Sequence, residues 1–467
     1  MSQNRLFETI TQLNRSDFRQ FDRFIRSPYF NRQEVLVRFW EYLSECFLHL
    51  KIVPDKPAVY RQLFGEQVYD DQKLRLLTSD LYQLLGDYLA FDAFQKEKTN
   101  FQYHRAKGFQ ERNLTEHFER TMQKCLQLNQ KSGLTNDDFY RQNYQLKLEL
   151  YHFQAKSDPG TDVYLQEITD QIDLSYLLSK LRQACLLLSH QAVYQGSFDL
   201  GLLPELLAYI HQRDLLKVPS IAVYYYCYHT LTSDQAEDFQ QFKRLLIQHG
   251  TCFPHPELRE LYLQAINYCI RQINEEHTHY FHEVIDLYKA GLNTESLLVG
   301  GLLSRFTYHN IVVAGLHTEA FNWVEDFIHT YRVNLDKRYR ESSFSFNLAR
   351  LAYGRKRYDE ALPLLQKANY RDLLLNLAAK TLLLKIYYEL DEQDLLQAHL
   401  DALRTFLRRK SVMGYHRENY QNLILFTRKL VSLNFYDKQA ITRLKQEIQE
   451  TDPLTEREWL LEQLNGR

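Results

Sequence analysis

The stretch EEHTHYFHEVID, residues 275–286, sets His279, His282 and Glu283 at i, i+3 and i+4. On a helix that spacing brings three metal-ligating side chains to one face. A metalloprotease helix needs H-E-x-x-H, so that two imidazoles hold the ion while the carboxylate activates its water; Asp286 stands where the second His belongs. The simpler reading is a polar helix start, where acids meet the favourable end of the dipole. HGTCFPH, residues 249–255, gathers His249, Cys252 and His255 but offers no fourth ligand, and Gly250 with Pro254 reads as an interhelical loop. There is no G-x-x-x-x-G-K-[ST] and no G-x-G-x-x-G to cradle a phosphate. Gly300-Gly301 reads as close packing within an apolar helix. No Ser/His/Asp order stands out, so no catalytic residue, cofactor or metal is assigned, and the protein reads as a non-enzyme.

Two basic patches remain. Residues 1–40 hold Arg5, Arg15, Arg19, Arg23, Arg26, Arg32 and Arg38 against four acids, a net +3. Residues 404–417 hold Arg404, Arg408, Arg409, Lys410 and Arg417 with no acid. Such residues complement helix C-termini, and a basic face can also grip nucleic-acid phosphates. A short helix after Pro57, a turn at Gly65 and a longer helix from Asp71 have the order of a helix-turn-helix. The stretch after Tyr88 reads as more helix, with no hairpin to form a wing.

Composition says what positions these residues. The chain has 467 residues, 45% apolar and 25% charged, with a formal charge of −2 that singles out no partner. Gly and Pro number 15 and 10, about half of the roughly 7% and 5% of average usage. Sheets and long loops consume both, so their scarcity predicts long helices, short connections and no sheet. Tyrosine is abundant, at 33 residues; its ring fills a helix crossing while its hydroxyl finds a wet or polar edge. Six cysteines without a CxxC pair read as isolated thiols in a reducing compartment. The first residues lack the apolar core of a signal peptide, and no run of 18 apolar residues occurs. A cytoplasmic protein without membrane insertion is expected.

Helical stripes are frequent. Phe18, Phe21 and Phe24/Ile25 share a face after a cap at Ser16; Asn31 and Glu34 have the spacing of a capping box for the next helix. Leu36, Phe39, Leu43 and Cys46 make a second stripe, and Leu74, Leu77, Leu81, Leu84/Leu85 and Tyr88 a third. The Pro159-Gly160 turn is the best boundary, between an N-terminal helical domain, 1–155, and a helical-repeat domain, 156–467.

The second domain carries a degenerate repeat. In 34-residue tetratricopeptide units, small residues let helices A and B cross closely. With Ser342 at position 1, Ala349, Ala361 and Ala368 take the three small positions, 8, 20 and 27, and Tyr358 and Leu365 take 17 and 24. The next unit has Leu384, Leu396 and Leu403 there, and TYHNIVVAGLHTEAFNWVEDFI fits loosely upstream. Pro363 falls inside the expected second helix, predicting a kink near Asp359.

The segments FIRSPYFN, YDDQKLRLLTSDL, AINYCIRQIN and LLLKIYYELDEQDLL resemble an uncharacterised, tetratricopeptide-like helical-repeat family common in Bacteroidota, nearly end to end. The resemblance implies a cytoplasmic all-helical protein and assigns no activity or functional residue. The expected fold is therefore all-α: a right-handed α-solenoid of degenerate hairpins behind an N-terminal helical region. Its concave face would be lined by helix-A positions 6, 9 and 12, which are Asn347, Arg350 and Tyr353, then Lys385 and Tyr388, with Asn310 in the unit before. Amides, cations and phenol rings suit a peptide or helix of another protein, acidic or extended. The expected function is a non-catalytic interaction scaffold or adaptor; the alternative is a regulatory protein touching nucleic acid through its basic N-terminal helices.

Overall fold

The computed structural model describes residues 4–465 apart from 157, 195, 234, 368–371 and 410–413. Ala368 and Lys410, used above, lie outside the described residues. The chain is all-helical and forms two compact units, residues 1–225 with 251–254, and residues 226–250 with 255–467.

The first unit holds α1 (Arg5–Gln12), α2 (Arg15–Ile25), α3 (Glu34–Ser44), α4 (Lys56–Phe64), α5 (Asp71–Lys96), α6 (Lys98–Gln110), α7 (Thr115–Lys131), α8 (Asp137–Gln154), α9 (Leu165–Tyr194) and α10 (Leu203–Gln212). Its three stripes meet in one core where Phe21, Phe39, Trp40, Leu43, Leu81 and Leu85 are fully buried. Phe21 meets Trp40 edge-on with ring centroids 4.6 Å apart. Side chains of this size each contribute about 1.5–3 kcal/mol when removed from water, so the aromatic stripes hold α1–α5 together. The α4 helix, Gly65 at φ +66° and the long α5 follow the expected order, and helix continues into α6 where a wing would need strands. The 155–162 connection joins α8 to α9, which pack along each other inside this unit.

Two helix starts differ from expectation. Asn14, not Ser16, caps α2: its Oδ1 accepts from the Ser16 and Asp17 amides at 2.7 and 3.1 Å, and Asp17 accepts the Asn14 amide at 2.9 Å. Asn31 does not box with Glu34; its amide donates to the Ile25 and Gln33 carbonyls, and Gln33 occupies the cap position of α3. Several short polar residues compete at each start, and the one whose backbone is extended takes the cap.

The α11 helix (Pro219–Thr232) leads from one unit to the other. The second unit holds α12 (Ala236–His249), α13 (His255–Asn274), α14 (Tyr280–Asn293), α15 (Arg305–His317), α16 (Phe321–Thr330), α17 (Arg340–Gly354), α18 (Tyr358–Lys367), α19 (Leu373–Glu389), α20 (Gln393–Arg409), α21 (Gly414–Val431), α22 (Lys438–Glu450) and α23 (Arg457–Asn465). Consecutive helices from α12 to α21 pack against one another, and alternate helices α15, α17 and α19 also pack together. Ala349 and Ala361 are fully buried at the α17–α18 crossing, and Leu384, Leu396 and Leu403 fill the next pair. Tyr308 shows how this chain uses tyrosine: the ring is fully buried and the hydroxyl donates to the Ile328 carbonyl at 2.8 Å.

One feature contradicts the helix-only expectation. Leu298–Val299 (β1) and Leu302–Leu303 (β2) pair antiparallel, Leu298 opposite Leu303, through a two-residue turn at Gly300-Gly301. Both glycines have positive φ, +58° and +76°, the conformation a tight hairpin turn demands and only glycine adopts without strain. The pair serves a turn, not helix packing.

Candidate functional site

A cavity of about 830 Å³ opens in the second unit, walled by α15, α17, α19, α21 and α23. Because α15, α17 and α19 pack side by side, residues one turn apart on each helix reach the same wall. Asn310, Arg350, Tyr353 and Lys385, four of the six residues expected to face a groove, line it. Val313, Leu316, Phe346 and Leu382 supply its apolar surface.

The other two expected contacts stand behind the wall. Asn347 is fully buried; its amide nitrogen donates to the Ser343 carbonyl and to His309 Nδ1, both at 2.8 Å, so it supports the lining residue His309 and has no surface for a ligand. Tyr388 is buried with its ring edge-on to Trp459, centroids 5.4 Å apart, and it is Trp459 that faces the cavity. Neither position can be reached without moving the helix behind it.

Most charges on the wall are matched. Arg305 pairs with Asp372 at 3.0 Å and lies over the rings of Phe306 and Tyr339. Lys385 pairs with Glu456 at 2.9 Å, between the rings of Tyr353 and Trp459. Glu389 accepts hydrogen bonds from the Tyr353 and Tyr358 hydroxyls and from Trp459 Nε1, at 2.8 Å for the last, tying α17, α18 and α23 to α19. Burial, reinforced by that carboxylate, pushes the Tyr353 phenol well above its usual range, so it stays a donor. Arg350 differs. It keeps part of its surface open to the cavity, yet enough protein surrounds the guanidinium that desolvation lowers its pKa. The guanidinium carbon lies over the Phe346 ring, 5.6 Å from its centroid.

Two imidazoles share this environment. Burial brings His309 down to about 4, and its Nδ1 faces a donated amide proton, which fits a neutral ring. Burial also lowers His317, which stacks on Phe281 with centroids 4.1 Å apart and feels Glu458, Arg350, Lys385 and Glu462.

The sequence reading missed His309, Thr381, Glu456 and Trp459. The first two follow the same helical faces and were within reach of the period. The last two come from the α22–α23 connection and α23, far along the chain, with no local mark.

The metal readings find no arrangement to hold an ion. Glu283 accepts from Lys243 at 2.7 Å and from Gln240 at 3.0 Å, and Asp286 shares the same lysine at 2.7 Å. Gly250–Cys252 forms a single 3-10 turn between α12 and α13. Among the described residues no group of three His, Cys, Asp or Glu is placed to hold a metal ion. The seven N-terminal arginines are all exposed, and Arg26 pairs with Asp22 and Glu41; Arg408 and Arg409 sit on the last turn of α20, where they complement its dipole. Among the described residues, no helix is long and apolar enough to cross a membrane. No two cysteines form a disulfide among the described residues, and five of the six are buried.

No protein-family model matches the chain, and no curated protein or solved structure matches it either.

Proposed function

We propose that the protein is a non-catalytic, cytoplasmic interaction scaffold or adaptor whose second unit holds a peptide or helix of a partner protein. In this reading the second unit is a right-handed α-solenoid of degenerate tetratricopeptide-like hairpins, as in the Bacteroidota family that the sequence resembles. The observation that carries the proposal is the convergence of Asn310, Arg350, Tyr353 and Lys385 on one cavity from three neighbouring helices. The volume, about 830 Å³, suits several side chains, and its mixture of apolar wall and spaced polar groups suits a peptide.

The test uses random octapeptide pools on the immobilised full chain, read by mass spectrometry. Val313→Trp fills the cavity from a half-buried wall position. Retention by the parent and loss in a folded Val313→Trp variant is expected; equal retention by both refutes the cavity as the binding surface. The exposed N-terminal arginines favour a second reading, contact with nucleic acid. That reading requires affinity for DNA or RNA that falls steeply with salt and weakens when Arg15, Arg19 and Arg23 become Gln.

A further inference from the structure

We propose that Arg350 is the anion subsite of this cavity and receives one carboxylate of the bound peptide, from a chain terminus or an acidic side chain. The proposal rests on the peptide-binding reading above.

The charge pattern of the wall supports it. Arg305 and Lys385 already have Asp372 and Glu456 within 3.0 Å, and Arg457 donates to the Thr451 carbonyl at 2.6 Å. Among the described residues, Arg350 alone of these cations makes no hydrogen bond or ion pair; Glu456 reaches it only as a distant field. A guanidinium presents five N–H donors in a fixed fork, and removing it from water is costly unless an anion compensates. A protein that keeps such a group beside an open cavity has a place for that anion.

A second, independent feature lies on the same wall. Thr381 is 4% exposed and its hydroxyl has no hydrogen-bond partner, although a helical threonine normally turns to the carbonyl one turn back. A carboxylate can take both N–H groups of a guanidinium fork and still accept from a hydroxyl. The surroundings also select the anion. Glu456, Glu458 and Glu462 line the same cavity, so a single unmatched positive charge sits near several acids. One planar monoanion fits that balance, and a phosphate dianion or polyanion meets repulsion.

Four amide-capped or free peptide pools test the proposal: free carboxylate ends, amide ends, amide ends with one internal Glu, and amide ends with one phosphoserine. The wild-type chain should retain the first or third pool at least tenfold over the plain amide pool, and which of the two wins identifies the source of the carboxylate. Arg350→Gln should abolish that preference, Arg350→Lys should restore part of it, and Thr381→Val should reduce it a few-fold. Each variant is first shown to melt cooperatively. Sodium acetate provides a peptide-free arm: against chloride at equal ionic strength it should raise the melting temperature of the parent and not of Arg350→Gln. If peptides are retained but end group and Arg350→Gln make no difference, the subsite is wrong while the peptide reading stands. If acetate acts through Arg350 but no pool is retained, the peptide reading fails and the anion site stands. Preference for the phosphoserine pool overturns the choice of carboxylate.

Discussion

Replacing Arg350 by Met should stabilise the second unit. The substitution leaves a shorter, unbranched apolar side chain and removes a charge that desolvation disfavours and that, among the described residues, no carboxylate pairs with. Swapping even well-paired buried ions for apolar residues of similar size is often neutral or stabilising by about 1–4 kcal/mol. Here no ion pair is lost, which favours a gain. Two terms reduce it: the stacking of the guanidinium on Phe346, at 5.6 Å, amounts to about 0.5–1 kcal/mol, and Arg350 keeps part of its surface in the cavity's water. The net gain is about 1 kcal/mol, at the low end of that range. For a unit of this size that raises the melting midpoint by roughly 2–4 °C. Two compact units need not unfold together, so the assay is scanning calorimetry with separate fitting of each transition, supported by urea titration followed by circular dichroism. The same variant should lose the carboxylate preference. Greater stability with lost binding is the signature of a residue kept for a ligand. A midpoint below the parent's would show that Arg350 is compensated in the folded protein, and the reasoning for its role would fail.

Further predictions test the packing and the buried imidazole. Ala361 is fully buried at the α17–α18 crossing, so Ala361→Phe should destabilise by roughly 1–3 kcal/mol, and a melt equal to the parent's would refute the repeat register. A Cβ on Gly315 would lie 2.3 Å from Val324 Cγ2, so Gly315→Ala should cost about 1–3 kcal/mol by urea titration. Gly86 is helical with nothing within 4 Å of its added Cβ, so Gly86→Ala should instead gain about 0.5–1 kcal/mol. His309 is held neutral when folded, by burial first and by Arg350 and Arg305, against Asp372. The unfolded chain therefore binds the proton first: stability is full above pH 6.5, falls as pH drops toward about 4, and levels below it. The loss is at most about 3 kcal/mol, and the stability difference between parent and His309→Gln, measured at pH 7 and pH 4.5, should shrink accordingly.

Much of the fold was legible because hydrophobic period is a local signal. Phe18, Phe21 and Ile25, or Leu74, Leu81 and Leu85, must share a face in any helix, and each set is buried. The Gly300-Gly301 hairpin was not, because the residues around it are apolar on both sides and do not alternate; a run of leucines looks the same in a buried helix and in two short strands. Caps failed for a related reason. Asn14, Ser16 and Asp17 are all capping residues within four positions, and the choice depends on which backbone the preceding helix leaves extended.

The site divides along the same line. Asn310, Arg350, Tyr353 and Lys385 share a cavity because helical period gives each helix one face, and the packing of α15, α17 and α19 adds those faces into a wall. Asn347 lies three positions before Arg350, on the edge of that face, and the neighbouring helix covers it. What no register contains is the closure supplied from α23. Trp459 reaches Glu389 across 70 residues of sequence, and Glu456 meets Lys385 across 71. That closure decides the chemistry of the wall: by neutralising Lys385 it leaves Arg350, among the described residues, as the wall cation without an ion-pair partner. The sequence marks Arg350 and Lys385 as equals, and the tertiary contact separates them. Glu456→Gln should therefore release Lys385 as a second anion contact, broadening retention to the phosphoserine pool while Arg350 remains in place. If the pools bind the variant as they bind the parent, Glu456 does not set the anion preference.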